Sequence, residues 1–194
     1  MKTNNKTRLL IILAGLLISI GSFSQNDSYI KGRWTINANV DPISELFESY
    51  NWLYPEYKLS VQYGVHNILE VGGYTGSQKY HYFNDQDSVY GTSRKFLYGI
   101  SAKAHLLPLV VKGKDFRFDL YVNTRTGFDY YSSKIISDAK RQYFRFQGGA
   151  GLAFYPFRRL GAYAEFGYEN LGINSYTSYW SWEFGVVYKF RRRR

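Results

Sequence analysis

Charged side chains of both signs recur at alternate positions in segments that are otherwise rich in aromatic residues. The cations are Lys31, Arg33, Lys58, Lys103, Arg117, Arg125, Arg145 and Lys189, and the anions are Glu70, Asp119, Glu165, Glu169 and Glu183. An isolated buried charge is costly, so charges inside a fold are expected to form ion pairs. We expect Glu165 and Glu183 at the centre of such a network. Its other predicted members are Arg33, Arg145, Lys103 and Asp119, and either Arg145 or Arg33 faces the two glutamates.

The residue spacing indicates no other chemistry. The sequence has no cysteine, which excludes disulfides and metal sites built on thiolates. It contains no zinc-ligand spacing, P-loop or dinucleotide-binding fingerprint. We therefore expect no cofactor, no metal ion and no catalytic residue.

Eight segments that carry these charges show the alternation of apolar and polar residues that is typical of half-buried strands. They run from about Lys31 to Val40, Glu56 to Val65, Ile68 to Thr75, Phe96 to Leu106, Phe116 to Phe128, Tyr143 to Tyr155, Leu160 to Glu169 and Tyr179 to Phe190. The third segment has room to extend towards Tyr82. Short turns and long loops alternate between the segments, as they do at the periplasmic and extracellular ends of transmembrane barrels. The pattern predicts an all-β fold, an eight-stranded antiparallel up-and-down transmembrane β-barrel.

The placement of small and aromatic residues indicates which face of these strands meets lipid. Most strand glycines lie on the polar face, where the narrow lumen of an eight-stranded barrel leaves little room for side chains. On the apolar face, aromatic residues crowd the strand ends and aliphatic residues fill the middle, as in Ile100-x-Ala102-x-Ala104. This sorting matches the two aromatic girdles and the lipid-facing band of a membrane barrel. The polar face is therefore expected to line the lumen.

The N-terminus has the pattern of a signal peptide. Three basic residues (Lys2, Lys6, Arg8) precede a mostly aliphatic stretch from Leu9 to Ile20, and small residues precede a plausible cut before Gln25. The apolar stretch is shorter than the ~20 residues that a spanning helix needs. We therefore expect residues 1–24 to be a signal peptide, residues 25–190 to form the barrel and residues 191–194 to form a basic C-terminal tail.

The net charge is concentrated outside the predicted barrel. Of the formal charge of +10, three positive charges lie in the leader and four in Arg191 to Arg194. The remaining chain is close to neutral. Its aromatic and basic residues alternate along the strands and do not form a patch on which nucleic-acid bases could stack. We therefore expect no nucleic-acid partner.

The last strand carries a family resemblance. It ends in Tyr188-Lys189-Phe190, which is similar to the C-terminal aromatic signature by which bacterial outer-membrane barrels are recognised for assembly. With the leader and the eight segments, the mature chain resembles the small barrels of the OmpA-transmembrane and OmpX/Ail group over nearly its whole length. Ser22 to Gln25, and the stretch from Gly148 to Gly167, look like barrel proteins of Bacteroidetes. The family usually ends on the aromatic residue, whereas Arg191 to Arg194 follow it here.

The resemblance implies a location and a set of partners. The location is the cell outer membrane, and the partners are outer-membrane lipid, lipopolysaccharide, the barrel-assembly machinery and envelope-complex proteins. Two aromatic segments, Phe47 to Tyr54 and Tyr80 to Phe83, are candidate partner-binding surfaces, because exposed aromatic residues are enriched at interfaces. The alternative is that the strands extend beyond the bilayer and these aromatic residues pack on one another.

The function expected from these features is a structural, adhesive or complex-forming role through the extracellular loops of a closed barrel. A small transport pore is the alternative, and a subunit of a secretion apparatus or a lipid-modifying enzyme is less favoured. Barrel deacylases need a His and a Ser on a late strand, and no His follows His105. Barrel acyltransferases need a loop His with Asp and Ser partners. His81 has Asp85 and Ser88 nearby, but such proximity in a polar loop is weak support, so we expect no enzymatic activity.

Overall fold

The computed structural model describes residues 30–42, 54–84, 89–110, 117–132, 141–171 and 178–190. The predicted signal peptide (residues 1–24) and the basic tail (residues 191–194) lie outside these ranges. So do Asp85, Ser88 and all but Tyr54 of the first aromatic loop segment.

The described chain forms a closed barrel in which each strand pairs antiparallel with the next and the last strand pairs with the first. The strands are β1 (Trp34–Asp41), β2 (Glu56–Gly64), β3 (Leu69–Asn84), β4 (Val89–His105), β5 (Phe118–Tyr131), β6 (Gln142–Phe154), β7 (Leu160–Leu171) and β8 (Ser178–Phe190). A four-residue helix, α1 (Leu107–Val110), lies in the connection from β4 to β5. Among the described residues, no helix has the length and hydropathy to cross a membrane. The predicted eight-stranded up-and-down barrel is confirmed.

The two faces of each strand have opposite character, as the alternation predicts. In β1, Trp34 is 52% exposed on the outer wall, whereas its neighbour Thr35 is 2% exposed in the lumen. The buried side chains of the barrel are mainly charged or polar, and the exposed large side chains are aliphatic or aromatic. This is the reverse of a soluble barrel, because the hydrocarbon core of a bilayer favours an apolar exterior.

Glycines face the lumen where tyrosine rings fill it. A Cβ atom on Gly151 would lie 2.5 Å from the ring of Tyr121, and one on Gly185 would lie 2.7 Å from the ring of Tyr163. On the outer face of β6, a Cβ atom on Gly148 would meet no atom closer than 3.7 Å. The lumen glycines therefore make room for the buried tyrosines, as the narrow interior of the barrel requires.

The predicted strand ends differ from the observed ones most clearly at two places. Residues 31 and 32 form a turn before β1, where Gly32 adopts a φ of +78° that favours glycine, and its N–H donates to the carbonyl of Gly64 (2.7 Å). The other difference is that β4 begins at Val89, seven residues before the predicted Phe96, because it pairs with β3, which runs on through the expected extension towards Tyr82 to Asn84. A hairpin above the bilayer has no lipid-facing side, so the apolar alternation that marks its lower part is not required there.

Candidate functional site

The centre of the lumen is built on two glutamates of neighbouring strands. Glu165 of β7 and Glu183 of β8 are direct cross-strand partners. The guanidinium of Arg125, on β5, bridges them: its Nη1 lies 2.7 Å from each carboxylate oxygen of Glu183, and its Nη2 pairs with Oε2 of Glu165. All three side chains are buried. One cation therefore holds together two carboxylates that would otherwise repel each other.

Further donors complete the shell around these two carboxylates. Lys103 Nζ lies 2.9 Å from Oε1 of Glu165, and the Tyr121 hydroxyl donates to the same oxygen at 2.8 Å. On the other carboxylate, Oε1 of Glu183 lies 2.8 Å from Lys58 Nζ and 2.7 Å from Gln147 Nε2. Buried carboxylates are tolerated only with such partners. We call Lys58, Lys103, Arg125, Glu165 and Glu183 the central cluster.

The expectation that Arg145 or Arg33 faces this pair is wrong, and strand register gives the reason. The β6 residue opposite Glu165 is Gly151, whereas Arg145 lies opposite Leu171, six residues closer to the predicted extracellular end. Arg33 precedes β1 at the predicted periplasmic end, where its Nη2 lies 2.6 Å from Oε1 of Glu70. Which cation meets which carboxylate depends on a register that alternation alone does not contain.

A second cluster lies at the end of the lumen where the long connections join the strands, which is the predicted extracellular end. Arg145 donates to both carboxylate oxygens of Glu56 (2.8 and 2.9 Å), and it also pairs with Glu169 and, at 3.4 Å, with Asp129. Lys95 Nζ lies 3.2 Å from Oε2 of Glu56. We call Glu56, Lys95, Asp129, Arg145 and Glu169 the extracellular cluster. Lys58 joins it to the central cluster, because its Nζ lies 2.6 Å from Glu56 and 2.8 Å from Glu183.

A third cluster lies at the opposite end of the lumen, which is the predicted periplasmic end. Asp119 contacts Nδ1 of His105 through both carboxylate oxygens at 2.9 Å, and Nε2 of the same ring lies 3.3 Å from Oε2 of Glu70. Thr35 donates its hydroxyl to Oε1 of Glu70 at 2.9 Å. We call Arg33, Glu70, His105 and Asp119 the periplasmic cluster. The three clusters together place ion pairs along the whole described length of the lumen.

Tyrosine rings close the space between the periplasmic and central clusters. Lys103 Nζ lies 4.4 Å from the ring centroid of Tyr121 and 5.0 Å from that of Tyr163. A cavity of about 10 Å³ remains beside these rings and is bordered by Glu70, Lys103 and Asp119. That volume suits about one water molecule. Buried side chains therefore fill this part of the described lumen.

Several members of these clusters are missing from the predicted network. Lys58, Glu70, Arg125 and Glu169 were expected among the paired charges of the polar face but were not named as network members, whereas Glu56, Lys95, His105 and Asp129 were not among those charges at all. Lys95 and Asp129 could have been found from the sequence, because continuing the alternation two residues beyond Leu97 and Gly127 places both on the lumen face. Arg125 already stood on the predicted polar face, and only its partner was unknown.

The remaining predicted residues have these positions. Tyr188 and Phe190 lie on the outer wall of β8, 37% and 45% exposed, with ring centroids 4.7 Å apart. The backbone of His81 belongs to β3, while its proposed partners Asp85 and Ser88 lie outside the described residues. Within the described ranges, no group of three or more His, Asp or Glu side chains is placed to hold a metal ion.

The fold is similar to those of solved membrane barrels, although no protein-family model and no curated protein sequence matches this chain. The N-terminal β-barrel domain of Pseudomonas aeruginosa OprF aligns with a TM-score of 0.54 and 20% identity, over 82% of this chain and 98% of that one. The Yersinia pestis outer membrane protein Ail, in a phospholipid bilayer nanodisc, aligns with a TM-score of 0.51 and 15% identity, over 82% and 100%. The Pseudomonas aeruginosa outer membrane protein OprG aligns with a TM-score of 0.52 and 11% identity, over 85% and 100%. This chain has the fold of the small eight-stranded outer-membrane β-barrels.

Proposed function

We propose that this chain is an integral outer-membrane protein with a closed lumen, and that it acts as a structural, adhesive or complex-forming component through its extracellular side. Lipid and lipopolysaccharide surround its wall in this proposal. The barrel-assembly machinery reads the exposed Tyr188 and Phe190, and an envelope protein binds above the membrane. No catalytic step is assigned to the chain.

The observation that carries the proposal is a ribbon formed by residues 79–84 of β3 and residues 89–94 of β4. Their pairing runs from Lys79 opposite Arg94 to Asn84 opposite Val89. In contrast, β2 pairs with β3 only as far as Ser77, and β5 pairs with β4 only as far as Lys95. Among the described residues, no strand pairs with the outer edges of this ribbon, and at its base the N–H and C=O of Arg94 bond to Ser132.

The ribbon has two properties of a partner-binding element. Strand edges outside a sheet present N–H and C=O groups to which a further strand can be added. The ribbon is also rich in residue types that are enriched at protein interfaces, namely Tyr80, Tyr82, Phe83 and Tyr90. A rigid barrel that holds such an edge above the membrane suits an adhesive or complex-forming protein.

The filled lumen favours this role over a small transport pore. A pore needs a continuous water-filled path, whereas eight-stranded barrels are just wide enough for side chains to fill. Here the charges are paired in three clusters, and the cavity between two of them holds about one water molecule.

Shortening the ribbon tests the proposal. A variant without residues 81–92 joins Tyr80 to Ser93, which are direct cross-strand partners, through an Asn-Gly turn that suits a tight hairpin. We expect this variant to fold and insert like the wild type, and to lose the envelope proteins that cross-link to the wild-type chain in native membranes. The control is Phe157→Ser in the periplasmic turn, where the side chain is 66% exposed. Retention of the same cross-linked proteins by the shortened chain would contradict the proposal.

A further inference from the structure

The charges of the described chain are segregated by sign between its interior and its exterior. Every aspartate and glutamate of the described residues is buried. The exposed cations are Lys31, Lys79, Arg94, Arg117, Arg141, Arg158 and Arg159. The outer surface of the barrel is therefore basic at both rims, which favours contact with anions there.

Two of these cations are placed directly opposite each other. Lys79 and Arg94 are cross-strand partners, and both side chains are exposed. They lie on the outer face, since successive strand residues face opposite sides and the neighbouring Gln78 and Lys95 are buried in the lumen. Like charges directly opposite on adjacent strands destabilise the pair. No ion pair joins either side chain to a carboxylate of the described residues. Among the described residues, no carboxylate therefore offsets the repulsion between these two cations.

The pair lies at the height of a lipid headgroup. Lys79 is ten residues above Leu69, where β3 begins at the periplasmic end. A strand rises by ~3.3 Å per residue and tilts by ~40° in a barrel, so the pair lies about 25 Å above that end. The apolar band of such barrels is also about 25 Å tall. Directly below the pair on the same face of β4 are Phe96 and Tyr98, 43% and 44% exposed, as expected for an aromatic girdle.

Contacts from both sides hold this part of the wall in place. Ser132 donates its N–H (3.0 Å) and its hydroxyl (2.8 Å) to the carbonyl of Arg94, and its Oγ accepts the N–H of Arg94 at 3.1 Å. On the other side, Lys79 Nζ lies 5.9 Å from the ring centroid of Tyr54. The two cations are thus presented from a fixed backbone rather than from a free loop.

We propose that Lys79 and Arg94 form a binding site for a phosphate group of an anionic lipid in the extracellular leaflet. The inference rests on the proposed outer-membrane orientation. A phosphate between the two side chains removes their repulsion, with the guanidinium of Arg94 as a two-pronged donor and the ammonium of Lys79 as a compact point charge. The lipid tails then lie against the aromatic girdle below.

The test is titration of the folded full-length barrel, in detergent, with lipid A that carries both of its phosphates, followed by native mass spectrometry. The variant is K79Q/R94Q, and the matched control is R158Q/R159Q, which removes two exposed cations from the opposite rim. Each cation near an anionic surface contributes about a factor of five, so we expect about 25-fold weaker binding for K79Q/R94Q and no comparable loss for the control. We also expect wild-type binding to weaken to the same degree when dephosphorylated lipid A replaces the phosphorylated lipid.

Three results would overturn the site: unchanged lipid A affinity in K79Q/R94Q, an equal loss in R158Q/R159Q, or full displacement of lipid A by inorganic phosphate. The last result would assign the pair to a free anion instead of a headgroup. Insertion of each variant into phosphatidylcholine bilayers and ribbon-dependent cross-linking are measured separately. If a variant inserts and cross-links normally but no longer prefers phosphorylated over dephosphorylated lipid A, the loss is therefore attributable to this site alone.

Discussion

Glu165 and Glu183 lie directly opposite each other on β7 and β8, and the single guanidinium of Arg125 binds both. Two facing carboxylates in a narrow lumen repel each other unless cations compensate them. Arg125 therefore organises the interior of the barrel.

Arg125→Met is expected to destabilise the barrel strongly. The substitution leaves the facing carboxylates of Glu165 and Glu183 with Lys103 and Lys58 alone, and removal of one partner from a buried ion pair costs about 3–5 kcal/mol. The measurement is the free energy of unfolding by urea in phospholipid vesicles. Arg117→Met, an exposed position at the periplasmic rim, is the control, for which a change within about 0.5 kcal/mol is expected. Equal losses in the two variants would count against this role of Arg125.

Removing one carboxylate together with Arg125 is expected to restore stability. In R125M/E183Q, Glu165 keeps Lys103 and Lys58 keeps Glu56, so the uncompensated charge is gone. In a double-mutant cycle with Glu183→Gln, the loss in the double variant should be smaller than the sum of the two single losses by a coupling energy of about 1–3 kcal/mol. Additive losses in the cycle would mean that the two side chains act independently.

The lumen glycines provide a third prediction. Gly151→Ala places a methyl group 2.5 Å from the Tyr121 ring and displaces the hydroxyl that donates to Glu165. Gly148→Ala, on the outer face of the same strand, makes only ordinary van der Waals contact with the Phe146 ring at 3.7 Å. We expect overpacking to cost about 1–3 kcal/mol of unfolding free energy at Gly151. At Gly148 the change should be negligible. A larger loss of unfolding free energy for Gly148→Ala than for Gly151→Ala would show that the space beside the Tyr121 ring does not limit the side chain at position 151.

The architecture follows from the sequence because a membrane barrel imposes a period of two on every strand. That period by itself assigns Arg125, Glu165 and Glu183 to the lumen face. The pairing of Arg145 with Glu56, Asp129 and Glu169 was not predictable in this way, because it depends on strand register and on contacts across the lumen.

The early start of β4, at Val89, was also not predictable from alternation. Above Ser77 and Phe96 the hairpin leaves the height of the lipid band, and apolar residues are no longer required at every second position. The ribbon that we propose to bind partners is thus the part of these strands in which contact with lipid no longer requires alternating apolar residues.

The most direct test of the closed, charge-paired lumen is the single-channel current of the full-length folded protein in planar bilayers, compared with the same bilayers exposed to heat-denatured chain. A closed lumen predicts no steady open state beyond that of the denatured control, because buried, paired charges fill the described lumen and the cavity beside the Tyr121 and Tyr163 rings measures about 10 Å³. A stable, ohmic conductance of the folded protein would contradict the closed lumen and would favour the transport pore.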